Sequence, residues 1–168
     1  MEQEKVLINA TVVFLVRSEE VLLAMKTEKI GKGCWNGYGG GVEEGETSEE
    51  ATVRELYEEA TVVVKSEDLE KVAIIDFHNT KSDGCKFVCK VHFYISRKWI
   101  GEPKESRTMI TPTWFDIDNL PFEKMMPSEK YWLKRILTGE KLRVSVKLGP
   151  FQKELLGDVQ ITSLEATL

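Results

Sequence analysis

Cysteine is sparse in this chain, with only Cys34, Cys85 and Cys89 among 168 residues. An odd number without a dense framework excludes a disulfide-stapled scaffold and fits free thiols in a reducing compartment. Cys85 and Cys89 lack the second pair that a four-cysteine zinc site needs, so buried packing is expected of them. No apolar run approaches the ~20 residues of a membrane-spanning helix, and Met1-Glu2-Gln3-Glu4-Lys5 carries no signal-peptide pattern. A cytoplasmic location is therefore expected. Basic charge is not in excess either: 23 Lys and Arg stand against 28 Asp and Glu, for a net charge of -5. That excludes nucleic-acid or membrane binding driven by a basic surface, and no stable partner of either kind is expected. A nucleotide stays open as a ligand, because a bound metal ion reverses the local field.

Linkers, repeats and low-complexity blocks are also missing, and the length suggests one domain over residues 1–168. A hydrophobic content of 42% with 30% charged residues suits a globular protein with a real core. The β-branched run Val6 to Val16 predicts a buried strand, paired with Val21 to Lys26 across Ser18-Glu19-Glu20. Val72 to His78 and Lys86 to Arg97 read as a hairpin, and Thr113 to Ile117 as a short strand. A helix is expected from about Ser128 to Thr138, with Trp132, Leu133, Ile136 and Leu137 on one face and Gly139 as its stop. Leu142 to Leu148 and Asp158 to Ser163 read as a closing pair of strands. Mixed strands with two helices make an α/β sandwich.

The most informative stretch is GGVEEGETSEEATVRELYEEATV, residues 40 to 62. Glu55, Glu58 and Glu59 stand at i, i+3 and i+4, within an arc of about 100° on one helix. Like charges so close repel by several tenths of a kcal/mol per pair, which calls for a cation. All-oxygen ligands suit hard divalent ions, magnesium or alternatively manganese. A solvated acidic face is the common reading of such a string, but the surroundings weigh against it. Gly37, Gly39, Gly40, Gly41 and Gly45 precede the helix, where backbone turns and approaches a ligand closely. Thr47 and Glu50 make a capping box at the helix start. Val53, Leu56, Tyr57 and Ala60 are expected to anchor the face opposite the carboxylates.

The spacing Gly40, Glu46, then Arg54-Glu55-Leu56 with Glu58, Glu59 and Val62 resembles the signature box of the Nudix hydrolases. One position departs, since Thr61 stands where the family has a second glycine. Threonine is a poor left-handed residue, so a different local geometry is expected where the helix ends. The resemblance implies a Nudix-type α/β/α sandwich with a mixed sheet and a loop-helix catalytic motif. It also implies that the Gly39 carbonyl joins Glu55, Glu58 and Glu59 as metal ligands, and that Arg54 and Glu46 form an orienting ion pair. Glu55 and Glu59 are both candidates for the catalytic base. The family often carries one more loop glutamate, and the position matching it here is Thr108, with Glu105 nearby.

Beyond the box, Val21 to Lys26, Cys34 to Gly40, Trp114-Phe115, Met126-Pro127 and Tyr131-Trp132 look like the MutT-related branch that destroys oxidised purine nucleoside triphosphates. In that branch the residue matching Asn36 binds the base edge, which suits an amide offering both donor and acceptor. Phe77 matches a pocket aromatic; Lys26 is a candidate phosphate contact and Thr11 a further candidate for substrate binding. Trp132 is kept, but Asn79 and Met126 replace aromatics, and Ser128 and Glu129 replace an aspartate pair. Purine triphosphate hydrolysis to monophosphate and pyrophosphate by a monomeric, magnesium-dependent enzyme is expected. Two alternatives remain: another nucleoside-diphosphate-linked substrate (ADP-ribose, a dinucleoside polyphosphate or capped RNA), or a nucleotide-binding module without catalysis.

Overall fold

The computed structural model describes Glu4 and residues 6–164. Its strands are β1 (Asn9–Arg17), β2 (Glu20–Lys26), β3 (Trp35–Asn36), β4 (Tyr38–Gly41), β5 (Leu69–Thr80) and β6 (Lys86–Ser96). They continue with β7 (Met109–Asp116), β8 (Leu142–Leu148) and β9 (Gln160–Ser163), and the described residues also form two α-helices, α1 (Ser48–Ala60) and α2 (Glu129–Leu137). The sheet runs β3-β2-β1-β6-β5-β8-β9, with β4 on β1 and β7 on β2. It is mixed: β1 lies parallel to β6 and β5 to β8, while the remaining pairings are antiparallel.

β1 explains why its sequence is apolar without alternation. Val13 and Leu15 join the core under α1, while Ala10, Phe14 and Val16 join the core under α2. A strand covered on both faces needs hydrophobic side chains at every step. α1 presses Leu56 and Ala60 onto Tyr38, Tyr94, Val13 and Leu15. On the other face, α2 presses Trp132, Leu133 and Ile136 onto Phe14, Phe93 and Ile75. Full burial of each such side chain is worth about 1.5–3 kcal/mol. The result is the α/β/α sandwich that the resemblance implied.

Several boundaries and faces differ from the sequence expectation. The first strand begins at Asn9, and Val6 and Ile8 are exposed, so β-branching there does not mean burial. Glu20 belongs to β2 rather than to the turn, and the last strand begins at Gln160. Tyr57 is 58% exposed, because the inward stripe of α1 follows Leu56 and Ala60 and leaves Tyr57 one step around the helix. Cys85 is exposed in the β5–β6 turn, while Cys89 is buried as expected. Thr61 adopts the left-handed conformation after all (φ 55°, ψ 24°). Its N–H donates to Tyr57 O at 2.9 Å, closing α1 much as a glycine would, at the cost of a strained β-branched residue.

Candidate active site

The site is built where β4 ends and α1 begins. Thr47 caps α1 with its side chain on the Glu50 N–H, and the Glu50 carboxylate returns the bond to the Thr47 N–H. β4 lies so close to β1 that a Cβ on Gly39 would sit 1.8 Å from Thr11 O. A Cβ on Gly40 would sit 2.5 Å from Glu55 Oε1. These glycines therefore serve close approach within a strand rather than a turn, and they let the acidic face of α1 rest against bare backbone.

Arg54 organises that face. Its Nε and Nη2 donate to the two carboxylate oxygens of Glu46 at 2.7 and 2.9 Å, and Nη2 also reaches Gly41 O at 3.0 Å. This bidentate pair ties the loop to the helix and holds the Glu46 carboxyl down to about pKa 2. Nη1 bridges Glu55 Oε1 at 3.0 Å and Glu58 Oε2 at 3.3 Å. Glu59 Oε1 instead accepts the Gly39 N–H at 2.8 Å. Burial, reinforced by the charges of Glu55 and Glu58, pushes the Glu59 carboxyl up to about 7 against the opposing pull of that N–H and Lys26.

Glu55, Glu58 and Glu59 line one cavity of about 450 Å³ together with Gly39, Gly40, Lys26, Asn36, Phe77, Met126 and Glu129. A divalent ion fits this donor set chemically: it offers only carboxylate and carbonyl oxygens, beside a glycine cradle that any Cβ would fill. Among the described residues no three His, Cys, Asp or Glu side chains form a ready-made cage. Arg54 and the Gly39 N–H engage those carboxylates instead.

Glu129, in the same lining, is 4% exposed at the start of α2, and among the described residues its Oε2 has no hydrogen-bond partner. Desolvation pushes its carboxyl up to about 8, with a backbone hydrogen bond from Met126 offsetting only part. Asn36 accepts the Gly37 N–H through Oδ1 at 2.8 Å, which leaves its NH₂ directed elsewhere. Phe77 and Met126 line the walls.

Two expected contacts are placed differently. Trp132 lies outside the lining: it packs edge-on against Phe93 (centroids 4.9 Å apart), and its Nε1 donates to Ser128 Oγ at 3.1 Å. Its helical position one turn after Ser128 turns it into the core. Thr11 contributes to the lining, but its fully buried hydroxyl is bonded to Thr52 on α1 and to His92 O at 3.2 Å. The alternation of β1 turns that side chain to the α1 face. Glu105 takes no place in the lining; its Oε2 accepts the Thr111 N–H at 2.7 Å, whereas Thr108 does line the cavity. Residues not anticipated include Phe87, Cys89, Arg107 and Gln152. Phe87 and Cys89 share the period-two face of β6, and Cys89 sits opposite Phe77, a signal available once the hairpin register is known.

The sandwich, the capped acidic helix behind a glycine strand and the Arg54 clamp define a class. The NUDIX domain model matches residues 6–136, and the chain belongs to that family. Its members generally act with divalent metal ions. The oxidized purine nucleoside triphosphate hydrolase of Mus musculus is 38% identical over 131 residues, covering 78% of this chain and 80% of its own. Its namesake from Danio rerio is 40% identical over 127 residues, covering 76% and 78%. Among solved structures, the MutT protein of Bacillus halodurans superposes with a TM-score of 0.74 at 22% identity, covering 92% of this chain and 97% of that one, and shows the same fold. Among the described residues no helix is long and apolar enough to cross a membrane.

Proposed function

We propose that this NUDIX domain hydrolyses purine nucleoside triphosphates, oxidised purines included, to nucleoside monophosphate and pyrophosphate, and so cleans the cytoplasmic nucleotide pool. The observation that carries the substrate reading is Glu129: a buried carboxyl with one oxygen unpartnered among the described residues, lining the same cavity as the acidic helix. A buried polar atom without a partner costs about 1–3 kcal/mol, and the polar edge of a purine supplies the missing hydrogen bond. The names of the two vertebrate relatives point the same way.

The chain's own groups divide the work. Near neutrality Glu129 carries its proton and donates to the base, while Asn36 offers its NH₂ to a base acceptor. Phe77 and Met126 cover the ring faces, Met126 through a polarizable thioether. Lys26 and Arg107 line the same cavity with the positive charge a triphosphate needs. Glu55, Glu58, Glu59 and the Gly39 carbonyl would hold magnesium, which when bound would neutralise phosphate oxygens and make a bound water more acidic. Glu55 and Glu59 are the carboxylates able to take the proton of the attacking water. Arg54 and Glu46 touch no substrate; they hold the glycine strand against α1 so that these oxygens converge.

The test is kcat/KM over a panel of normal and oxidised nucleoside triphosphates, with ADP-ribose and a dinucleoside polyphosphate alongside. An oxidised purine triphosphate at the head of the panel supports the reading. Cleavage of the diphosphate-linked compounds alone contradicts it.

A further inference from the structure

One residue of the cavity lining, Gln152, comes from a segment that the mechanism above does not use. After β8 the chain passes Gly149, turns through Pro150–Gln152 and comes back. Gly149 N–H donates to Glu154 O at 2.9 Å, Leu156 N–H donates to Lys147 O at 2.8 Å, and a β-bridge joins Leu148 to Leu155. Inside this turn Phe151 and Gln152 both have φ 57°. Two successive residues with a Cβ in the left-handed region persist only where their surroundings over-determine them. The outcome is that Gln152 lines the cavity beside Phe77, Met126 and Glu129.

The neighbours of Gln152 fix which end of its amide is committed. Asn79, 4% exposed on β5, donates from Nδ2 to Phe77 O at 2.9 Å. A backbone carbonyl can only accept, so Asn79 Oδ1 is the atom that meets Gln152. That oxygen also only accepts, and Gln152 Nε2 donates to it at 2.8 Å. The carbonyl oxygen of Gln152 is what this one-way relay leaves over.

We propose that Gln152, held by Asn79, is a specificity-determining residue whose carbonyl oxygen accepts an N–H from the bound base, so that the pocket favours purines carrying an exocyclic amine. This rests on the purine triphosphate reading. Glu129 and Gln152 then read opposite polarity, the first donating and the second accepting.

The experiment compares kcat/KM within two pairs that differ by one amine, GTP against ITP and ATP against purine riboside triphosphate. It uses wild type, Gln152→Met and Asn79→Leu, with thermal melts establishing that each variant is folded. One neutral hydrogen bond is worth roughly 3- to 10-fold. Wild type should favour the amine-bearing member of at least one pair by that factor, chiefly in KM. Gln152→Met should bring the ratio within twofold, and Asn79→Leu, which keeps Gln152 but frees it, should lower it as well. A wild type without preference overturns the proposal, as does a ratio that survives Gln152→Met or, should that variant not fold, Asn79→Leu. A wild type inert on every purine triphosphate overturns the substrate reading itself, a distinguishable result that takes this proposal with it.

Discussion

Replacing Glu129 by glutamine tests whether a neutral acid is built into the pocket. The native carboxyl holds its proton up to about pH 8, against an ordinary value of 4.5, because burial penalises the anion. An unfolded chain loses that proton near pH 4.5. Between these limits unfolding releases a proton, so this group's contribution to stability is full below about pH 4.5 and is lost as pH rises to about 8. At about 1.4 kcal/mol per tenfold change in proton affinity, the loss is roughly 4–5 kcal/mol, an upper limit because water reaches a buried anion in part. Glutamine has the same shape and no such titration. Urea denaturation of wild type and Glu129→Gln at pH 5, 6, 7 and 8 isolates the effect. The stability difference, wild type minus variant, should fall by several kcal/mol across the series, outside the roughly 10–15% extrapolation error. In wild type, KM for the base-bearing substrate should rise above about pH 8, as the donor is lost. A difference that stays flat to within about 1 kcal/mol refutes the reasoning, for Glu129 would then be solvated or paired.

Three further outcomes follow from named contacts. Glu58→Gln should cut turnover at least about tenfold while leaving the melting temperature near wild type, since Glu58 is exposed; near-normal turnover removes it from the metal site. Gly39→Ala should destabilise by about 3 kcal/mol or more, read by urea denaturation, because its Cβ would overlap Thr11 O and force β4 off β1. Thr61→Gly should stabilise by about 0.5–1 kcal/mol, read as a raised urea midpoint, because glycine relieves the left-handed strain at the end of α1.

What was legible in the sequence was local. The Thr47–Glu50 cap and the grouping of Glu55, Glu58 and Glu59 depend on spacings of three or four residues along one helix, which sequence displays directly. Both-sided burial of β1 was visible as an unbroken apolar run. The parallel pairings of β1 with β6 and β5 with β8 were not, because partners lie far apart in the chain and nothing local encodes their register. The same limit bears on Thr11 and Trp132, both expected as substrate contacts: strand parity gives the Thr11 hydroxyl to Thr52 although Thr11 still lines the cavity, and helix phase turns Trp132 to Phe93. Thr61 took the left-handed conformation because packing of Leu56, Ala60 and Val62 outweighed its intrinsic preference. Gln152 gave no sign at all, since nothing in Gly149-Pro150-Phe151-Gln152 announces two left-handed residues held by a distant Asn79.

The most direct test of the central claim is phosphorus NMR of the products formed from an oxidised purine nucleoside triphosphate with magnesium. Nucleoside monophosphate and pyrophosphate should form in equal amounts, with the yield abolished by chelation of the metal. Release of orthophosphate instead, or an untouched triphosphate beside cleaved ADP-ribose, would contradict it.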